Sequence, residues 1–367
     1  STGSVGLGAV ASLFGGLTRR YLMDHMGESG DRRYIALVGD AELDEGNIWE
    51  AVAEEQTRRL SNVLWIVDLN RQSLDRVVPD GSAQRIRAMF DVNGWRVINL
   101  KYGSRLTRAF SRPGGERLRR RIDDMPNAEY QALLRLSGAD VRKRLVETPE
   151  GGTDLALERL LGEYEDSQVH GLIRNLGGHD VPAILEAFRE AEEERDRPVV
   201  IVAYTIKGWR LPFEGDPLNH SMLLTERQIE TLRESLDIGV GEEFPGCEPG
   251  SPEWRLLRPD LRPPVAAPAP DLPAPPETLA ESYSAVSSTQ EAFSRVLSGI
   301  GRHPIADHIV TASPDVAVST HLGGWINRRG VYSPQAMIDY FARENIARPI
   351  RWRESPKGQH IELGISE

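Results

Sequence analysis

Asp40 and Asn70 are the residues around which chemistry could be organised. Each follows an apolar run: residues 34–38 lead through Gly39 to Asp40, and Val63–Leu69 leads to Asn70-Arg71-Gln72. Between them, Ile48, Trp49, Val52 and Ala53 recur at the spacing of one face of an amphipathic helix. Strand, turn, helix and strand make one βαβ unit, whose two strand ends open on the same edge of a parallel sheet. Open α/β sheets bind ligands at that edge. A carboxylate, an amide oxygen and a nearby backbone carbonyl are hard oxygen donors, suited to a magnesium ion bridging a diphosphate. Gly-Asp after a strand is also an ordinary turn with an acid near a helix start. The pairing with Asn70 on the same unit favours the metal reading.

Other elements must position this pair. Ser1-Thr2-Gly3-Ser4-Val5-Gly6-Leu7-Gly8 runs into a helical pattern over 9–26. Such a glycine-rich turn either approaches an anion or lets helices pack closely. Residues 85–90 read as a helix and 95–100 as a strand, while 106–164 are mainly helical and heavily charged. In that stretch Arg117, Arg119, Arg120 and Arg121 are flanked by Glu116, Asp123 and Asp124, which favours a solvated face over a phosphate clamp. Gly177-Gly178-His179-Asp180 precedes a helix over Val181–Glu193 that Asp180 is placed to cap. His179 either reaches a ligand or braces its loop. Residues 198–204 form a buried-type strand ending at Thr205-Ile206-Lys207-Gly208. Only Lys101, Lys143, Lys207 and Lys357 are lysines among 44 basic side chains, so Lys207 at a strand end suggests a point-charge role. The loop 209–222 carries His220, and Thr225 is placed to cap a helix over 225–235.

Residues 246–276 are proline-rich and read as an extended tether. The organisation expected is 1–245 as one doubly wound α/β domain, 246–282 as linker, and 283–367 as the start of a second α/β domain. In the latter, Thr289–Ile300 reads as a helix, 309–311 as a strand, and Ser313-Pro314-Asp315 as a turn. A length of 367 residues accommodates two such cores. A net charge of −11 argues against a nucleic-acid surface. One cysteine, Cys247, excludes an internal disulfide framework and suits a reducing cytoplasm. No apolar run reaches membrane-spanning length and no signal peptide is read at the start. Both ends look cut, as in a segment of a longer polypeptide or one half of a split enzyme.

The Gly-Asp…Asn spacing resembles the diphosphate-binding signature of thiamine-diphosphate enzymes. Ser-Thr-Gly-Ser-x-Gly and Gly-His-Asp are similar to segments of transketolases and of the homodimeric first component of the pyruvate dehydrogenase complex. Ser73-Leu74-Asp75, Tyr102-Gly103-Ser104, the helical insertion 118–145 and residues 352–367 resemble the latter more closely. The resemblance covers essentially the whole chain. It implies thiamine diphosphate and Mg2+ as cofactors, with Asp40, Asn70 and the Gln72 carbonyl as metal ligands. Gly39, Asp40, Ala41, Glu42, Asn70, Gln72, Lys207 and Glu367 would contact the cofactor. Ala41 departs from the usual Gly-Asp-Gly, and Ser366 from the usual Gly-Ile-Asn-Glu. Glu367 aligns with the glutamate that holds the pyrimidine nitrogen, and Lys207 and His220 would face the substrate. The activity implied is decarboxylation of pyruvate with reductive acetylation of a lipoyl group carried by a dihydrolipoyl acyltransferase, by a homodimer. Transketolase-like transfer between sugar phosphates and a non-catalytic cofactor-binding half-protein are the alternatives.

Overall fold

The runs Tyr34–Gly39 (β1) and Val63–Leu69 (β2) pair in parallel, from Tyr34 opposite Val63 to Gly39 opposite Asp68. The structure, a computed structural model, describes residues 3–27, 32–257, 272–278, 286–314 and 316–364. Two residues of hairpin on each side, β3 (Gln72–Ser73) and β4 (Arg76–Val77), follow β2. Strands β5 (Arg96–Leu100) and β6 (Val199–Tyr204) complete a parallel sheet of order β1-β2-β6-β5. All six residues of β6 are buried, as a central strand of a parallel sheet requires. Because every strand runs the same way, Gly39, Leu69, Leu100 and Tyr204 open at one edge.

Helices cover both faces. On one lie α1 (Leu7–Met26), α2 (Gly46–Ala53) and α3 (Ser82–Val92). Trp65, Phe90 and Trp95 form its centre, with the Trp65 and Trp95 rings 4.9 Å apart and the Phe90 and Trp95 rings 5.3 Å apart. The buried face of α2 is Ile48, Ala51 and Val52, with Trp49 half-buried. Ala53, expected inside, is exposed: it ends the helix, where the chain turns away through Glu54.

The glycines of α1 serve packing. A Cβ on Gly15 would lie 2.8 Å from the Tyr34 ring, and one on Gly16 would lie 2.5 Å from Val63 Cγ2. Gly16→Ala is therefore expected to lower unfolding stability by about 1–3 kcal/mol, the usual cost of overpacking. A denaturant titration with an unchanged midpoint would refute this account of the α1–β2 contact.

Between β5 and β6 the chain builds the helical insertion: α4 (Ser104–Phe110), α5 (Gly115–Asp123), α6 (Asn127–Leu133), α7 (Gly138–Val146), α8 (Leu155–Leu161) and α9 (Asp166–Ile173). The arginines of α5 are ion-paired, Arg117 with Asp154, Arg119 with Asp123, Arg120 with Glu116 and Arg121 with Glu129. A solvated, paired face is what the flanking acids suggested. Then α10 (Val181–Glu193) lays Ala187 and Ala191 on the opposite face of the sheet, against Leu64, Ile98 and Ile201. Asp180 caps α10 by accepting the Ala183 N–H at 3.1 Å. The next helix, α11 (Glu226–Ser235), is capped by Thr225 as expected.

The tether expectation needs one correction. Ser251 caps a short helix, α12 (Pro252–Leu256), with proline at its first turn, where its missing N–H costs nothing. Residues 258–271 lie outside the described residues. Beyond them, α13 (Thr289–Ile300) stands as expected. The strand expected over 309–311 is instead Thr311–Ser313 (β7), because Ile309 closes a 3-10 turn over Pro304–His308. Asp315 of the expected turn is outside the described residues. With β8 (Val331–Tyr332), β9 (Glu354–Ser355) and β10 (His360–Glu362), β7 makes a second parallel sheet of order β7-β10-β8-β9. Its own core holds Leu297, Trp325, Ile326 and Val331. It is tied to the first sheet's layer by Tyr332, whose hydroxyl donates to Asp24 Oδ2 at 2.7 Å, and by Gly364, whose N–H donates to Glu54 Oε2 at 2.7 Å. No described helix is long and apolar enough to cross a membrane.

Candidate active site

The turns after β1 and β2 are joined directly. Asp40 opens a 3-10 turn (Asp40–Asp44), and its Oδ2 accepts the Arg71 N–H at 2.9 Å. Asn70 Oδ1 accepts the Gln72 N–H at 3.0 Å, an Asx turn that fixes the amide oxygen beside the same loop. From below, Gln131 of α6 donates through Nε2 to the Asn70 carbonyl at 3.2 Å. Arg71 and Leu74 adopt left-handed φ of 65° and 53°, strained for such residues and typical of a constrained functional turn.

Burial pushes the Asp40 carboxyl up to about 6, opposed by the Arg71 N–H and reinforced by the neighbouring Asp68 carboxylate. A divalent cation would relieve that arrangement. The donors also fit one: a carboxylate, the Asn70 amide oxygen and backbone carbonyls are oxygen ligands of the kind magnesium takes. Among the described residues no group of three or more His, Cys, Asp or Glu side chains is placed to hold a metal, so a cation here would depend on those amide and carbonyl oxygens. The Gln72 side chain is 1% exposed, and both its amide atoms lack a partner among the described residues. Buried polar atoms of this kind call for a further polar group or ordered water.

Glu42 is committed to the turn itself. Its Oε1 accepts the Gly39 N–H at 3.1 Å and its Oε2 the Gly6 N–H at 3.3 Å. The amino end of α1 is thereby bound to the Asp40 turn, and one N–H of the glycine-rich stretch is engaged by protein. Ser1 and Thr2 lie outside the described residues. Asp40 and Ala41 rim a cavity of about 400 Å³ with Trp49 and Leu69 in its wall. Ala41 is exposed there.

The structure brings Lys207 and His220 together at the end of β6. Lys207 Nζ lies 3.3 Å from His220 Nδ1 and 3.5 Å from the Leu74 carbonyl, and its charge acts on the Asp40 carboxyl. His220 is exposed within a 3-10 turn (Asn219–Ser221). His179 is a brace: its Nε2 accepts the Ile206 N–H at 2.9 Å, and its ring stacks on Trp209 at 4.3 Å. Burial lowers its pKa, keeping the acceptor nitrogen free. Sequence reasoning passed over Asp68, which accepts a hydrogen bond from the Thr205 hydroxyl, and Arg71, whose guanidinium sits 3.9 Å over the Tyr130 ring. An acid inside an apolar strand was the available signal for Asp68. Glu367 lies outside the described residues.

Known proteins resemble this chain in sequence and in fold. Over 391 residues the chain is 27% identical to the pyruvate dehydrogenase E1 component of Cupriavidus necator, covering 100% of this chain and 43% of that protein. With the Escherichia coli K12 protein of the same name, identity is 26% over 392 residues, again 100% of this chain and 43% of the relative. The chain resembles pyruvate dehydrogenase E1 components along its whole length. It spans less than half the length of these curated relatives. No protein-family profile matches it. Among solved structures, transketolase from Campylobacter jejuni superposes with a TM-score of 0.51 at 15% identity, over 99% of this chain and 44% of that one. Transketolase from Leishmania mexicana does so with 0.52 at 14% identity, over 98% and 43%. The chain has the α/β fold of these proteins.

Proposed function

We propose that this chain is the diphosphate-binding part of a pyruvate dehydrogenase first component, together with the start of its pyrimidine-binding domain. The division is 1–245, linker 246–282 and 283–367. The reaction proposed is decarboxylation of pyruvate followed by reductive acetylation of a lipoyl group, with the lipoyl disulfide as acceptor. The observation that carries the proposal is the Asp40–Arg71 hydrogen bond, which sets a carboxylate against the Asn70-Arg71-Gln72 turn at one sheet edge beside Lys207 and His220. Asp40, Asn70 and the Gln72 carbonyl would hold Mg2+, with Gly39, Ala41 and Glu42 shaping the turn around the diphosphate.

When bound, thiamine diphosphate supplies the nucleophilic carbon and the electron sink for decarboxylation. Glu367 would bind the pyrimidine nitrogen. Lys207 donates toward His220 Nδ1, which places the ring proton on Nε2 and leaves that N–H to orient the substrate. The same imidazole would orient the group during transfer to the lipoyl arm. Pyruvate and a dihydrolipoyl acyltransferase are the proposed substrate and partner, and a cytoplasmic homodimer the proposed form.

The test is carbon dioxide release from pyruvate by the complete protein with thiamine diphosphate, Mg2+ and an artificial electron acceptor. Release that depends on both cofactors is expected. Transfer of a two-carbon ketol unit between sugar phosphates instead would favour the transketolase-like alternative. Cofactor binding with neither reaction would favour a non-catalytic role.

A further inference from the structure

The loop that carries His220 holds one strained residue. Gly208, Arg210 and Gly215 all have positive φ, at 70°, 67° and 69°; glycine takes it freely, but Arg210 adopts it with a side chain. Such a conformation at a non-glycine residue persists only when surrounding structure over-determines it. The contacts that do so come largely from the helical insertion. Glu214, 6% exposed, accepts the Arg174 guanidinium at 2.6 Å and the strained Arg210 N–H at 2.8 Å. Arg174 directly follows α9. Arg135 donates to the Pro212 carbonyl at 3.1 Å. A Cβ on Gly215 would lie 2.9 Å from Leu134 Cδ1 and 3.1 Å from Gln131 Oε1, so the loop is seated tightly on the end of α6. Within the loop, the Gly215 N–H and the Asn219 amide both donate to the Lys207 carbonyl, at 3.1 and 3.0 Å.

We infer that Arg174 and Glu214 are a positioning pair, through which the helical insertion sets the spacing of Lys207 and His220. The chain of contacts is continuous. Arg174 fixes Glu214, Glu214 fixes the Arg210 turn and Gly215, and Gly215 and Asn219 close on the Lys207 carbonyl. The insertion thus does for this loop what its Gln131 does for the Asn70 turn, and that side chain lies beside Gly215 as well. Without the pair, the loop keeps its sequence but loses the contact that holds the left-handed Arg210 in place. The inference rests on the reading of Lys207 and His220 as substrate-facing groups, but its first readout does not.

The experiment is hydrogen exchange on the purified protein without cofactors, for Arg174→Met, Glu214→Gln, the double variant and Arg174→Lys. Amides of 208–222 are expected to exchange tenfold or more faster in each of the first two. The double variant should go no further than the single ones, Arg174→Lys should restore most of the protection, and β1, β2 and β6 should keep their original rates. Pyruvate decarboxylation should fall at least tenfold in kcat in the same two variants and recover in Arg174→Lys. Unchanged exchange in 208–222, additive effects in the double variant, or a rise that spreads into β2 and β6 would overturn the pair. Local loosening in a protein that never decarboxylates pyruvate would uphold the pair and reject only the proposed reaction.

Discussion

Asp40→Ala is expected to abolish magnesium-dependent binding of thiamine diphosphate while leaving the fold in place. The carboxylate is the one charged oxygen donor proposed for the cation, so its loss removes the anchor that a diphosphate cannot replace. The fold should survive because burial already disfavours this charge: the carboxyl is pushed up to about 6. A folded-state value above the unfolded one means that the group's contribution to stability is fully present below about 4 and is lost as pH rises through about 6. At neutral pH the unligated protein therefore carries a carboxylate whose burial the Arg71 and Ala41 N–H groups and the Lys207 charge offset only in part, and alanine removes that charge along with those hydrogen bonds. Calorimetry of the complete protein should show no binding heat, while the thermal midpoint without cofactor stays within a few degrees of the original. Undiminished affinity would reject Asp40 as a ligand.

Much of this site was legible because short-range pattern and sheet geometry point the same way. The apolar runs before Asp40 and Asn70 read as strands of one βαβ unit, and parallel strands bring their ends together whatever else surrounds them. Asp180 and Thr225 were readable as caps because a cap needs only its own next turn. What escaped depends on distant residues. Nothing near His179 in sequence discloses Ile206, 27 positions away, as the donor that makes it a brace. Arg71 looks like a surface cation until Tyr130, from a separate helix, is placed under it. The same holds for the insertion: its charge pattern suggested a solvated face, which α5 provides, but gave no sign that Gln131 and Arg174 reach the two loops of the site. Errors at Ala53, Ile309 and α12 are of another kind. The first two sit at element ends, and α12 is a helix of five residues, so one capping or proline contact decides each.

Mixing two inactive full-length variants, Asp40→Ala and Glu367→Ala, is expected to restore activity once subunits exchange. The supporting geometry is the mooring of β10. Because β1 and β2 are parallel, α2 must run back from the carboxyl edge, where Asp40 lies, toward the amino edge. Its eight residues carry the chain about 12 Å that way. Gly364 is bound to Glu54, just past the far end of α2. Gly364, the last described residue, is thus moored at the edge remote from its own chain's Asp40, which favours Glu367 serving the site of a second copy. In a two-fold dimer with shared sites, a mixed pair holds one site with both lesions and one with neither. Up to a quarter of the original activity is then expected from an equimolar mixture, since half the dimers are mixed and each has one of two sites intact. If each site lies within one chain, every site keeps a lesion and no activity returns. Continued inactivity, with mixed dimers verified by mass spectrometry, would reject the shared site.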